Sequence, residues 1–334
     1  MTDKQRPSLA LADGHGRRFE YLRLSLTEAC NFRCTYCLPD GYRKRAGAPA
    51  ALSVAEIARL VGAFAALGLW KVRLTGGEPS LRPELLDIAR TVAGTRGIRR
   101  LAMTTNGYRL AERARDYAAA GIGALNVSVD SLDPERFARI TGHDRLGEVL
   151  AGVEAARNAG IATVKLNTVL MRGINDDELG AFMDFVGQHD LTLRFIELMR
   201  TNDNVPFFAR HRLPGADIAG QLARAGWRPV AREAGAGPAT DYAHPSGRGR
   251  IGIIAPYSRD FCASCNRLRV SSTGKLHLCL FGDHGSDLRP LLAEESHHDE
   301  LVARIRGLTA GKDAGHRLHE GNSGATPHLA SIGG

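Results

Sequence analysis

At 334 residues with 43% hydrophobic and 6% aromatic side chains, the chain is long enough for one large domain with an appendage, and its composition argues against disorder. It contains no run of about 18 apolar residues, and MTDKQRPSLALADGHGRRFE at the start lacks the apolar core of a secretory signal, so a cytoplasmic protein with no membrane partner is expected. The formal charge of +8 suits a nucleic acid or a small polyanion. No helix-turn-helix or RNA-recognition signature accompanies it and the basic residues are spread along the chain, so no nucleic-acid partner is expected.

Six extended runs alternate with helical segments over the first two-thirds: YLRLSL, WKVRLTG, RLAMTTN, ALNVSVD, TVKLNTVL and LTLRFIEL. Between the first two lies LSVAEIARLVGAFAALG, where Ser53 and Glu56 form a capping-box pattern and Gly68 offers a stop. Pro83 is placed as a first-turn proline before ELLDIARTVAG, and Asn175 with Glu178 repeats the cap pattern before LGAFMDFVGQ. Such alternation predicts an α/β fold with a parallel sheet and right-handed crossovers. Strand parity adds detail. Lys71, Arg73 and Thr75 share one face of their run, as do Asn126, Ser128 and Asp130, and Thr163, Lys165 and Asn167. A polar face on several parallel strands predicts a curled sheet around a wet interior, the alternative being strand ends solvated at a sheet margin. After about Asn204 the pattern changes. REAGAGPATDYAHPSGRGR, over 232–250, reads as an irregular excursion, LRVSSTGKLHLCL as a hairpin, and the last residues as a weakly structured tail.

The six cysteines fall as Cys30, Cys34, Cys37 and Cys262, Cys265, Cys279, with none between. Two odd-numbered groups argue against a disulfide framework. CNFRCTYC follows the first strand and offers three thiolates where a four-iron cluster takes four ligands, leaving one iron open to a small molecule. Zinc is the alternative, but no fourth ligand lies nearby. In the second group zinc competes more seriously, because Cys262 and Cys265 have its usual spacing and His277 lies beside Cys279. If the chain runs extended from Cys265, then Cys265, Arg267 and Arg269 project to one side, composing a site for an anion next to a cluster; solvated surface arginines are the bland alternative.

CNFRCTYC, with TGGEP one βα unit later, resembles the radical S-adenosylmethionine (SAM) enzymes. Together with KVRLTGGEP, MTTNGY, NVSVDSL, FIELM, FCASCNRLRVSSTGKLHLCLFG and a terminal Gly-Gly, the whole chain is similar to the MoaA family of that group, the GTP 3′,8-cyclases that begin molybdenum-cofactor biosynthesis. The resemblance implies an incomplete (β/α)6 barrel over residues 1–204 and a C-terminal extension over 205–334 carrying a second iron–sulfur cluster. It implies two 4Fe-4S clusters, on Cys30, Cys34 and Cys37 and on Cys262, Cys265 and Cys279. SAM contacts fall on Tyr36, Gly77, Ser128 and Met199. GTP contacts fall on Arg23, Arg73, Thr104, Lys165, Arg267, Leu268 and Arg269, with Lys71 and Arg194 as further phosphate partners. The tail with Gly333 and Gly334 is implied to reach into the active site, against the simpler expectation of disordered terminal glycines. In that family a deoxyadenosyl radical removes the ribose 3′ hydrogen and the carbon radical attacks C8 of guanine. The partners so implied are an electron donor of flavodoxin or ferredoxin type, the downstream cyclic pyranopterin monophosphate synthase and a second copy in a homodimer. Two rivals remain: a peptide-modifying radical SAM enzyme, which carries more C-terminal cysteines, and a zinc-bearing nucleic-acid-binding protein, which leaves CNFRCTYC and TGGEP unexplained.

Overall fold

The computed structural model describes residues 10–44, 46–231, 237–282, 285–326 and 328–333. All six extended runs are strands, separated by helices in the order β1 (Tyr21–Ser25), α1 (Val54–Ala66), β2 (Lys71–Thr75), α2 (Leu85–Gly94), β3 (Arg100–Thr105), α3 (Leu110–Ala119), β4 (Ala124–Ser128), α4 (Pro134–Thr141), α5 (Leu146–Asn158), β5 (Thr163–Leu170), α6 (Leu179–Gln188) and β6 (Thr192–Glu197). These strands pair in sequence order and all in parallel.

The first helix starts as its sequence predicts. Ser53 Oγ accepts the Glu56 N–H and the Glu56 carboxylate accepts the Ser53 N–H, while Ile57, Leu60, Val61 and Phe64 form the buried stripe. Two other start signals are corrected. Pro83 lies in a turn before α2, whose first residue is Leu85. Asn175 and Glu178 build no capping box. Asn175 instead accepts the Met171 N–H at 2.7 Å and donates to the carbonyls of Asp130 and Val169 at 2.6 and 3.0 Å, while Glu178 accepts the Leu132 N–H at 2.9 Å. Both side chains are buried and satisfy main-chain groups at strand ends that no ladder reaches, a demand that outweighs a helix cap.

Residues after 204 add α7 (Val205–His211), α8 (Gly215–Arg224), β7 (Arg228–Pro229), β8 (Thr240–Ala243), β9 (Arg250–Ile254), β10 (Arg267–Val270), β11 (Lys275–His277), β12 (Ser286–Asp287) and α9 (His298–Ala310). The expected hairpin is β10–β11. Two features go beyond expectation. β10 pairs in parallel with β1 and β9 with β6, so later strands extend the sheet on both sides, in the order β12-β11-β10-β1-β2-β3-β4-β5-β6-β9-β8-β7 among the described residues. The stretch 232–250 is also not wholly irregular, since it contains β8 and the first residue of β9; its residues 232–236 lie outside the described residues.

Each parallel strand has two faces. Leu22, Leu24, Val72, Leu74, Leu125, Leu166, Leu193 and Leu268 are fully buried in the main core. On the opposite face Arg23, Arg73, Asn126, Lys165, Arg194 and Arg269, from six different strands, line one interior cavity. The polar parity therefore marks the wall of one cavity and not a solvated margin. Among the described residues no helix is long and apolar enough to cross a membrane.

Candidate active site

Where β1 ends, the chain enters the first cysteine loop, and backbone contacts hold it from two sides. The N–H groups of Gly77 and Glu78 donate to the carbonyls of Thr27 and Ala29, both at 2.8 Å. A Cβ on Gly77 would stand 2.3 Å from the Ala29 oxygen, and one on Gly76 2.4 Å from that of Thr27, so only glycine permits this approach. On the other side Arg33 and Thr35 donate their N–H groups to the carbonyls of Thr141 and Ile140 at 2.9 and 3.0 Å. Fully buried Glu78 accepts from the N–H groups of Ser80 and Asn106 and from the Thr105 hydroxyl at 2.9, 2.6 and 2.9 Å, bracing the ends of β2 and β3. The motif's glutamate is thus a brace for the loop.

Cys30, Cys34 and Cys37 line one cavity at the C-terminal ends of the strands, with Tyr36, Gly77, Thr104, Ser128, Asp130 and Met199. The Tyr36 hydroxyl donates to Asp130 at 2.9 Å, and Asp130 accepts the Val169 N–H at 2.8 Å. Burial raises the Asp130 carboxyl to about 6 against the pull of those two hydrogen bonds. Burial also pushes the thiols of Cys30 and Cys37 up to about 11 and about 12, and that of Cys34 well above its ordinary value. Such thiols stay protonated unless a metal takes them as thiolates.

A second cavity lies toward the N-terminal ends of the strands. Its wall carries Arg23, Lys71, Arg73, Arg100, Lys165, Arg194, Arg250, Arg267 and Arg269, and one carboxylate, Asp241 on β8. Burial depresses Lys165 to about 8, with Arg194 adding repulsion, and lowers Lys71 and Arg194 as well. Arg23 is lowered to about 10 and Arg269 further, burial leading in both. Cations pressed together in this way are a standing electrostatic cost that a polyanion relieves.

Cys262, Cys265 and Cys279 line a third cavity beside Arg267, Arg269, Phe281 and His316. Long side chains fasten it. Arg17 pairs with Asp13 at 2.5 Å and donates to the carbonyls of Cys262, Asp313 and Ala314 at 3.1, 2.5 and 2.6 Å, while Lys312 donates to the Leu278 carbonyl. At Cys265 burial raises the thiol, but Arg267 and Lys312 more than offset it and the net shift is downward. His277 lines a separate outer cleft with Lys275, away from the cavity of Cys279. Among the described residues no three His, Cys, Asp or Glu side chains converge as ligands of a single ion, and all six cysteines are free. Three thiols lining one cavity are a donor set that fits a polynuclear cluster, whose thiolates bind different irons.

The three cavities meet. Met199 lines all of them, Asn167 and Ile196 the first two, and Arg267, Arg269 and Leu280 the last two. The C-terminal tail is ordered against this junction. Leu329 and Ala330 line the first cavity, and the Gly333 carbonyl accepts from Arg23 at 3.1 Å and from Arg269. A Cβ on Gly333 would overlap Thr75 Oγ1.

The residues the sequence reading singles out therefore gather closely, with two departures. Thr104, assigned to GTP, lines the first cavity and meets the second only through a 3.4 Å bond from Arg73. Leu268 faces the core, so any ligand contact it makes is through its main chain. Gly334 lies outside the described residues. Missed were Tyr21, Arg100, Asp241 and Arg250; the first two share strand parity with Arg23 and Lys71 or lie beside them in register, a signal that was available.

Residues 24–186 match the family model of the radical SAM superfamily, and 191–318 match that described as Molybdenum Cofactor Synthesis C. A GTP 3′,8-cyclase of Aeromonas hydrophila is 58% identical over 97% of this chain and 96% of its own length. One from Stenotrophomonas maltophilia is 59% identical over 97% of this chain and 99% of its own. Among solved structures, Streptococcus suis SuiB bound to S-adenosylmethionine has a similar fold, with a TM-score of 0.61 at 11% identity over 89% of this chain and 69% of that one. On this evidence of sequence and fold, the chain belongs to the GTP 3′,8-cyclase family of radical SAM enzymes.

Proposed function

We propose that this chain is a radical SAM lyase that cyclises GTP to (8S)-3′,8-cyclo-7,8-dihydroguanosine 5′-triphosphate in molybdenum-cofactor biosynthesis. The observation that carries the reading is the cationic cavity set between two thiol-lined cavities, with Met199 on all three walls. Cys30, Cys34 and Cys37 would hold one 4Fe-4S cluster and Cys262, Cys265 and Cys279 a second, within an incomplete (β/α)6 barrel over 1–204 and an extension over 205–334. When loaded, the first site supplies a deoxyadenosyl radical from SAM and the second an iron for the purine.

The chain's own part is placement. Lys71, Arg73, Lys165 and Arg194 neutralise the triphosphate, a charge-assisted clamp that fixes the nucleotide along the interior. Arg267 and Arg269, shared by the second and third cavities, orient the base. The ribose then falls beside Met199, Asn167 and Ile196, at the opening toward the SAM cavity, where holding reactants in register lowers the barrier. Tyr36, fixed by Asp130, and the Gly77 main chain hold SAM. The tail closes the junction against water. A flavodoxin- or ferredoxin-type donor, a downstream cyclic pyranopterin monophosphate synthase and a homodimer complete the proposal.

Anaerobic incubation of reconstituted protein with SAM, dithionite and GTP tests it. The cyclised nucleotide and deoxyadenosine should appear together; deoxyadenosine without any modified nucleotide would overturn the cyclase reading.

A further inference from the structure

Tyr21 has no part in the placement just described, yet it stands in the middle of the cationic wall. It opens β1 with its side chain turned inward and is only 5% exposed. Its hydroxyl oxygen accepts from Arg73 Nε at 2.6 Å, and Lys71 Nζ lies 4.6 Å from its ring centroid. Arg23 projects from the same face of β1; the register partners of Tyr21 are Arg267 on β10, with Arg269 two residues on, and Lys71 on β2, beside Arg100 of β3. Arg194 of β6 and Lys165 of β5 close the ring. The one acid on this wall, Asp241 of β8, faces Lys165 and Arg194, so the Arg73 side of the cavity has no carboxylate among its lining residues. Among the described residues lining that side, the phenol oxygen is the group that can carry negative charge. Burial raises this phenol, but Arg73, Arg23 and Lys71 more than offset that and bring it down to about 7.

We propose that Tyr21 is a resident anion of the substrate cavity, a phenolate that occupies Arg73 in the empty site and takes up a proton from solvent when a triphosphate enters. The inference rests on the GTP reading for its ligand. Physically it follows from competition: phosphate oxygens claim the same guanidinium and ammonium groups, and their like charge disfavours a phenolate beside them. The protonated hydroxyl can then donate to a phosphate oxygen. The device keeps buried cations compensated without substrate, and it makes binding weaken as pH rises. The direction is fixed by linkage. The free protein loses the phenolic proton above about 7, the complex keeps it, and a one-proton uptake costs up to about tenfold in affinity per pH unit above that point.

The test is anaerobic calorimetric titration of cluster-loaded protein, with SAM and without reductant, at pH 8 in buffers of different ionisation enthalpy. Wild type and Tyr21→Phe are compared, the variant keeping the ring beneath Lys71. The expected result is that wild type takes up close to one proton more per GTP than Tyr21→Phe, and that the variant binds GTP more tightly than wild type at pH 9. Lys165→Gln and Lys71→Gln, each made with and without Tyr21→Phe, separate any uptake by these lysines, the second of which the phenolate itself stabilises as a cation. Equal uptake in wild type and Tyr21→Phe, with iron content and SAM affinity intact in both, overturns the proposal. Inorganic triphosphate is titrated in parallel. If it binds with the Tyr21-dependent uptake while GTP does not bind, the cyclase reading fails and the resident anion stands; if neither binds, both fail.

Discussion

The two cysteine groups are held mainly by different means. The first lies on a single loop fixed by main-chain contacts at Gly77, Glu78, Arg33 and Thr35, with the carboxylates of Glu78 and Asp130 nearby. The second joins a loop to the end of a hairpin more than a dozen residues away in sequence, and its fastenings are the long cations Arg17 and Lys312. Close backbone approach gives a rigid cup around the proposed SAM site. Side-chain fastening leaves positive charge around Cys265, on the side where an anionic nucleotide is proposed to sit. The comparison can be broken at each kind of fastening in turn.

The largest effect is expected at the cysteines themselves. Cys34→Ser should abolish reductive SAM cleavage, while Cys265→Ser should still release some deoxyadenosine but form no cyclised nucleotide. Both products are quantified from the same anaerobic reaction, after each variant is shown to be folded, since losing a metal site can unfold its surroundings. Wild-type cyclisation by Cys265→Ser would remove the second group from the mechanism. Normal SAM cleavage by Cys34→Ser would mean that the two groups are assigned the wrong way round.

Gly77→Ala comes next, because its Cβ at 2.3 Å from the Ala29 oxygen must push the cysteine loop away. The variant should bind roughly half the iron of wild type, or about four atoms in place of about eight, and lose SAM affinity while retaining GTP binding. Iron analysis beside two binding titrations reads this directly. Full iron content with normal SAM affinity would show that the glycine approach does not position the loop.

Arg17→Ala is the counterpart on the other side. It leaves buried Asp13 without its ion-pair partner, the Asp313 and Ala314 carbonyls without a donor, and the Cys262 carbonyl with only the Cys265 N–H. Breaking a buried pair costs about 3–5 kcal/mol, so the second loop should loosen and its iron be lost first, with SAM binding kept. Hydrogen exchange around 262–265 and 312–315, set against exchange in β2 to β4, separates this local opening from global unfolding.

This contrast between backbone and side-chain fastening also explains which parts were legible in the sequence. The six strands and the inward faces of Arg73, Asn126 and Lys165 are written in local alternation, and the Ser53–Glu56 cap is realised as read. Asn175 and Glu178 carry the same local signal but are drawn to strand-end backbone groups contributed by other segments. The four residues of β8 have no apolar alternation and become a strand only because β9 offers an edge. The tail reads as loose because its order comes from Arg23, Arg269 and Thr75, none of them near it in sequence. Tyr21 reads as the first residue of an extended run; its place among cations appears only when β10 and β2 flank β1. Local pattern fixes each element, and what is missed depends on contacts between elements.

The smallest expected effect concerns the thiols before metal arrives. In metal-free protein that retains its core, iodoacetamide at pH 8 should label Cys265 faster than Cys30. The thiolate is the nucleophile. Burial holds the Cys30 thiol at about 11, while at Cys265 the arginine and lysine neighbours outweigh burial and lower the thiol below its ordinary value of 9.0. The thiolate fractions then differ by at least about a hundredfold, and because a more acidic thiolate is intrinsically less nucleophilic, roughly half that difference on a logarithmic scale remains, or about tenfold in rate. Peptide mass spectrometry over a labelling time course measures both sites in one sample. Raising the pH should narrow the ratio, because Cys265 approaches full ionisation while Cys30 continues to gain thiolate. Equal labelling at pH 8 would mean that access, and not the charge set by Arg267 and Lys312, governs the reactivity of the second group.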